Sequence, residues 1–313
     1  MNIGSVLKER EEVNSMLLTN RGENLLKGGM GMNFPSKEVS WEEYLQRTKS
    51  MVPGWIFRGQ SCDERIKSSF ERALDSYGIP YSDAPEIEEY MIRDFKRKYE
   101  GIDFEIVSKD TFYCLSLMQH YGCPTRLLDW TYSPYMAAFF AVENMSLEKK
   151  AERNAFVFCL NHKWINKSAR SNINNDELFN MRFCDKTMTD DSFIPLYMDK
   201  KRKSFILADN PYQLHRRLSI QKGVFVIQGD ISLSILENID SMKDWKSPKN
   251  IIKFKLRIKN GDELDRVYED LRLMNITHES LFPGLDGFSK SRKQNLYWYR
   301  KAGPIKDNID PFI

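Results

Sequence analysis

The residues best equipped for chemistry crowd into one stretch, residues 119–134, which reads QHYGCPTRLLDWTYSP. Gly122 and Pro124 force a turn directly after an apolar run, 111–120, that reads as a helix. Thr125, Arg126, Asp129, Thr131 and Ser133 then set five polar side chains just ahead of a second helical run, 134–143, apolar nearly all round. A helix of that kind is packed on several sides, so the loop feeding it is pinned against the core. Its polar groups need partners, whether one another, the backbone or a ligand. In one assignment His120 or Arg126 faces a ligand phosphate or base while Asp129 and Ser133 orient it. In the other, Asp129 and Ser133 cap the following helix and Arg126 pairs with Asp129. His120 divides the same way, between presentation to a cleft and stabilising the carbonyls of a helix end.

Arg58 is the second candidate. It ends the apolar run 55–57 and is followed by Gly59, where a ligand can approach the backbone closely, and by Gln60. An arginine so placed suits a phosphate or diphosphate fork, or it simply reaches solvent from a strand end. Gln221, between Arg216-Arg217 and Gly223, offers an amide that reads a ligand edge or serves as a polar strand start. Lys253, Lys255, Arg257 and Lys259 alternate with Phe254, Leu256 and Ile258, the signature of a half-buried strand. Its basic face lies along a nucleic-acid backbone or is the solvated side of an edge strand.

These side chains must be held by elements the pattern also indicates. Ser40 with Glu43 forms a capping box for a helix whose buried stripe is Trp41, Tyr44 and Leu45, stopped by Pro53-Gly54. Residues 55–57 read as a strand, and 87–99 as an amphipathic helix with Tyr90, Met91, Phe95 and Tyr99 inward. Strands follow at 155–160 and 224–228, and a helix at 263–274. Residues 163–214 read as polar and irregular. Residues 2–27 have approximate helical spacing before a glycine-rich break. Mixed elements without regular βαβ alternation argue for an α+β fold. The division expected is a helical extension at 1–39, a main domain at 40–295 and a tail at 296–313.

Composition narrows the classes. The chain has 313 residues, 47 Lys+Arg against 44 Asp+Glu, a formal charge of +3, 41% hydrophobic and 29% charged residues. That supports a sizeable core and argues against a disordered tail, and a balance so near neutral does not by itself imply nucleic acid. The apolar run 137–142 is too short to span a bilayer, and the first residues lack an apolar signal core, so a cytoplasmic protein without membrane contact is expected. The five cysteines are scattered without a CxxC, so no metal is expected. Gly-x-Ser-x-Gly, the Walker loop and GxGxxG are absent.

Four blocks together, FRGQ at 57–60, QHYGCPTRLLDWTYSPYMAAFFAV at 119–142, RLSIQKGVF at 217–225 and LFPGLDG at 281–287, resemble the FRG domain, named for its Phe-Arg-Gly motif and met mostly in bacteria and their phages. The blocks occur in the order that family has them and span about 41–292. A weaker resemblance links the chain to ADP-ribosyltransferases, whose NAD site opens on a strand ending in Arg, continues through a Thr/Ser strand into an Ala- and Phe-rich helix, and closes on a strand bringing Glu. That resemblance implies a split β-sheet core with surrounding helices, NAD as substrate, and transfer of ADP-ribose to a protein or nucleic-acid acceptor, as in a conflict effector. It implies that Arg58 grips the diphosphate with Gly59 and Gln60 beside it, and that Thr131 and Ser133 hold the nicotinamide ribose or order the wall beside it. Gln221, helped by Asp129, orients the reacting ribose, and His120 with Arg126 frames the acceptor side. The chain departs from that pattern at Gln221, where Glu is expected. A non-catalytic nucleotide or nucleic-acid recognition module is the alternative.

Overall fold

The computed structural model describes residues 33–61, 65–145, 153–184, 190–285 and 287–292. The expected helix at 2–27 and the tail at 296–313 lie outside them. Seven strands, β1 (Ser36–Val39), β2 (Trp55–Gln60), β3 (Leu128–Thr131), β4 (Arg153–Asn161), β5 (Ile206–Asp209), β6 (Gly223–Gln228) and β7 (Ile251–Ile258), form one mixed sheet in the order β1-β7-β4-β2-β3-β6-β5. Only β1 and β7 run parallel; the other neighbours are antiparallel. β1 lies inside the stretch assigned to the extension, paired to β7 from Ser36↔Lys253 to Val39↔Leu256.

The helices are α1 (Trp41–Lys49), α2 (Ser69–Tyr77), α3 (Ala84–Lys98), α4 (Phe104–Lys109), α5 (Thr111–His120), α6 (Pro134–Val142), α7 (His162–Ile173), α8 (Asp176–Cys184), α9 (Asp190–Phe193), α10 (Arg216–Ile220), α11 (Ile235–Asp240), α12 (Gly261–Leu273) and α13 (His278–Leu281). The fold is therefore mixed α and β, as the pattern suggested. The seven strands form one hydrogen-bonded sheet, in which β2 and β3 share a single register pair, Phe57↔Thr131. No helix among the described residues is long and apolar enough to cross a membrane.

Local sequence explains most of these boundaries. The Ser40–Glu43 capping box opens α1, and Ser133 caps α6 by accepting from Met136 N at 3.4 Å, with Pro134 at the first position. α6 is buried along Pro134, Ala137, Ala138, Phe139, Ala141 and Val142. It lies so close to β2 that a Cβ on Gly59 would stand 1.9 Å from Ala137 O and 2.7 Å from Ala141 N. The main core unites this helix with Phe57, Val157, Phe254, Leu256 and the α12 residues Leu264, Val267 and Leu271.

Three expectations change. Residues 163–214 are largely helical, because Asn161 caps α7 from Lys163 N and Trp164 N while Asn174, at φ 50°, ends it in the left-handed conformation. They also contain a buried ion pair, Arg182 Nε to Asp209 Oδ2 at 2.7 Å. α3 buries Ala84, Glu88 and Ile92 and leaves Tyr90 57% exposed. The hydrophobic pattern misses this face because one of its residues is a carboxylate with a buried partner. β7 is interior, between β1 and β4, and Lys255 and Arg257 of its basic face pair with Glu38 of β1 at 3.1 and 2.8 Å.

That partner is Arg126, 1% exposed, whose guanidinium takes both oxygens of Glu88 and also donates to Tyr197 O at 2.9 Å. Removing one member leaves a buried charge without compensation. Glu88→Ala should therefore cost about 3–5 kcal/mol, read as a lower denaturant midpoint, whereas exposed Glu89→Ala on the same helix should change it little.

Candidate functional site

The four sequence blocks, distant along the chain, meet through a connected set of bonds. Arg58 Nη1 donates to Asp129 O at 2.6 Å. Gln119 Nε2 donates to Asp129 Oδ1 at 2.8 Å, and its own Oε1 accepts from Thr125 Oγ1. Thr131 Oγ1 donates to Gln221 O at 2.8 Å and accepts from Ser133 N at 3.0 Å. Tyr132 N donates to Lys222 O at 3.0 Å. Gln221 Nε2 donates to Leu281 O at 3.1 Å.

Strand alternation decides which side chains face which layer. Thr131 stands opposite Phe57, so Thr131, Asp129, Phe57 and Gly59 start from the face that α6 covers. Arg58 and Gln60 start from the other face, where Phe158 and Phe156 of β4 are their cross-strand partners. The two faces communicate because β2 and β3 part after the Phe57–Thr131 pair. At that parting the Asp129 carbonyl has no ladder partner on β2, and the Arg58 guanidinium fills the role. Arg58 Nε also reaches Gln60 Oε1 at 3.4 Å. Burial lowers the pKa of this arginine, while the nearby Asp129 carboxylate opposes that shift.

The sequence-derived candidates divide accordingly. Arg58, Gln60, Asp129, Thr131 and Gln221 are brought together around the parting, and Asp129 is exposed there. Ser133 is the α6 cap, as one of the two assignments had it, whereas Asp129 caps nothing. Arg126 pairs with Glu88, not Asp129, and its burial and engaged donors remove it from any acceptor-facing role. Gly59 provides close approach for α6, not for a ligand. A groove of about 510 Å³ beside α3, lined by Ile92, Phe104, Ile194 and Met198 among others, contains none of these residues.

His120 ends α5, exposed, with its ring centroid 5.2 Å from that of His215. His215, absent from the sequence-derived set, accepts from Leu218 N through Nδ1 and so caps α10. Burial first, and then Arg217, hold His120 below the usual imidazole range. His215 is pushed down to about 4 by burial, then by His120 and Arg217. A histidine cap was not legible in the sequence, because Ser, Thr, Asp and Asn are the residues that signal one.

Against this geometry stand the comparisons with known proteins. The family model for the FRG domain matches residues 53–150, which carry the Phe57-Arg58-Gly59 motif and the long central block. No curated protein and no solved structure matches the chain.

Two outcomes follow for the site residues. Gln221→Glu would set a carboxylate against the Leu281 carbonyl in place of an amide donor, so thermal melting should report a loss of about 1–3 kcal/mol. His215 has a folded pKa below its unfolded value near 6.5, so the unfolded chain binds more protons. Its contribution to stability is full above pH 6.5 and declines as pH falls from 6.5 towards 4. His215→Asn keeps a cap without titrating, and should flatten that part of the stability-versus-pH curve measured by urea unfolding.

Proposed function

We propose, on the premise that residues 53–150 form an FRG domain, that this protein binds NAD or a closely related nucleotide and transfers its ADP-ribose unit to a macromolecular acceptor. The observation that carries the reading is the parting of β2 and β3 after one register pair, with Arg58, Asp129, Thr131 and Gln221 gathered around it. In an ADP-ribosyltransferase-like arrangement that is where a nucleotide lies, between two sheet halves.

The chemistry asked of these residues is definite. The nicotinamide–ribose C–N bond breaks with its electron pair leaving on nicotinamide, and the sugar passes through a cationic state. A lone pair of the acceptor, a hydroxyl or amine, forms the new bond to the ribose carbon, and the acceptor proton leaves to a base. Asp129 is the exposed carboxylate at the parting and stabilises the cationic sugar. Gln119 holds that carboxylate through one oxygen and leaves the other for the ribose. His120, whose pKa burial and then Arg217 hold below the usual imidazole range, receives the acceptor proton.

Gln221, where this reading would place a glutamate, orients the wall through Thr131 and Leu281 and supplies no charge. The amide suits its position because it donates to a carbonyl, which a carboxylate cannot do. Arg58 braces the parting and contributes one fixed positive charge.

The test is release of nicotinamide and transfer of label from adenylate-labelled NAD, offered with mixed protein, DNA and RNA acceptors. Wild type should transfer label, and Asp129→Asn, which keeps the Gln119 contact but not the charge, should transfer at least about 100-fold more slowly with melting unchanged. Folded wild type that neither cleaves NAD nor labels any acceptor sinks the catalytic reading and leaves nucleotide recognition without chemistry.

A further inference from the structure

A second cluster lies on the face that α6 covers, built from residues the reading above does not use. Arg217 of α10 stands over the Phe282 ring with its guanidinium carbon 4.5 Å from the centroid, and Lys290 Nζ lies 5.9 Å from the same centroid. Two cations thus share one aromatic ring, and neither makes an ion pair among the described residues. Attraction to the ring face holds two like charges together there, an arrangement that a bound anion would complete.

The surroundings record the same uncompensated field. His278, at the start of α13, packs its ring 5.0 Å from Phe139 and 5.5 Å from Phe282, and its Nδ1 is buried without a hydrogen-bond partner. Burial and then Lys290 hold it below the usual imidazole range. Arg217 acts in the same direction on His120 and His215. The carboxylate that meets His278 is Glu143 just past α6, 3.7 Å from His278 Nε2, whereas Glu279, next to His278, bonds Arg292 at 2.8 Å. Burial raises the pKa of Glu143 while Lys290 and Arg217 pull it down. It stands within reach of both cations' fields yet within pairing distance of neither, so it does not neutralise them.

The cluster also joins the site already described. Gln221, one helical turn beyond Arg217, donates to Leu281 O, and Leu281 is three residues beyond His278 on the same short helix. Arg58, by contrast, has Nε and Nη1 engaged and starts from the opposite face of the sheet. A nucleotide reaching the exposed Asp129 on the α6 side therefore finds Arg217 and Lys290, not Arg58 alone, as cations for its phosphates.

We infer that Arg217 and Lys290, set against Phe282, form a diphosphate subsite that binds the phosphate part of the nucleotide. This rests on the nucleotide reading for its ligand, but its chemistry, recognition of a compact polyanion, is testable without turnover.

The probe is inorganic pyrophosphate, titrated into the full chain by calorimetry and by histidine NMR. Wild type should bind it, and the His215 midpoint near 4 should rise by about one unit as the bound anion offsets the field of Arg217. Lys290→Gln alters an exposed side chain and should weaken binding at least tenfold with melting unchanged. Arg217→Gln should weaken it further and abolish the histidine shift. Absence of pyrophosphate binding, or binding unaffected by Lys290→Gln, overturns the subsite. Pyrophosphate binding with these losses, in a protein that does not cleave NAD, upholds the subsite and removes the transfer reading. NAD cleavage whose KM is unmoved in both variants, with no pyrophosphate bound, does the reverse.

Discussion

Everything around the site depends on how closely α6 lies against β2. The backbone of Ala137 and Ala141 occupies the space a side chain at position 59 would take, so glycine there is a steric requirement of the packing. With no room to shift, the helix fixes both of its ends. At the first, Ser133 and Thr131 tie the entering chain to Gln221; at the second, Glu143 meets His278. A helix apolar on nearly every side can be held this firmly only if it is enclosed. Phe57, Val157, Phe254 and the inner face of α12 enclose it. The position of the chemistry is therefore set by contact between an alanine-rich helix and one glycine.

The sheet is mechanically uneven as a result. β4 pairs with β2 over six residues and with β7 over eight, whereas β2 and β3 touch in one pair. Polar groups stand in where the ladder stops, with the Arg58 guanidinium on the Asp129 carbonyl and the Gln119 amide on its carboxylate. The buried Arg126–Glu88 pair sits just upstream and holds the start of β3 to α3. Charged groups inside the core thus anchor a strand whose outer half is left open.

Much of this was legible in the sequence where a local rule governs. The capping box at Ser40, the helix at 111–120, the proline-led helix at 134 and the alternation at 253–259 each follow from spacing and residue type. The convergence of Arg58, Asp129, Thr131 and Gln221 was legible only through the order of the four blocks, because nothing local brings residue 58 to residue 129. What escaped depends on tertiary partners. Glu88 reads as a solvent-facing residue until Arg126 is seen opposite it, and Gly59 looks like room for a ligand until α6 fills that room. The two cations on Phe282 come from segments far apart in the chain, and no periodicity links them.

The parallel pairing of β1 with β7 bears on how the chain is made. Residues 36–39 leave the ribosome before their strand partner, 253–256, which emerges on the order of tens of seconds later at ordinary elongation rates. The neighbours of β2 and β3 come later than those strands too: β4 begins at Arg153 and β6 at Gly223. A nascent chain that stops short of β6 therefore carries the Phe-Arg-Gly strand and the long central block with β3 held on one side only, by its single pair with β2. Non-local closure of this kind makes folding slow and leaves strand edges bare during synthesis. Assembly of the site consequently waits for β6 and for the Leu281 carbonyl that Gln221 bonds, rather than for the appearance of its most recognisable residues.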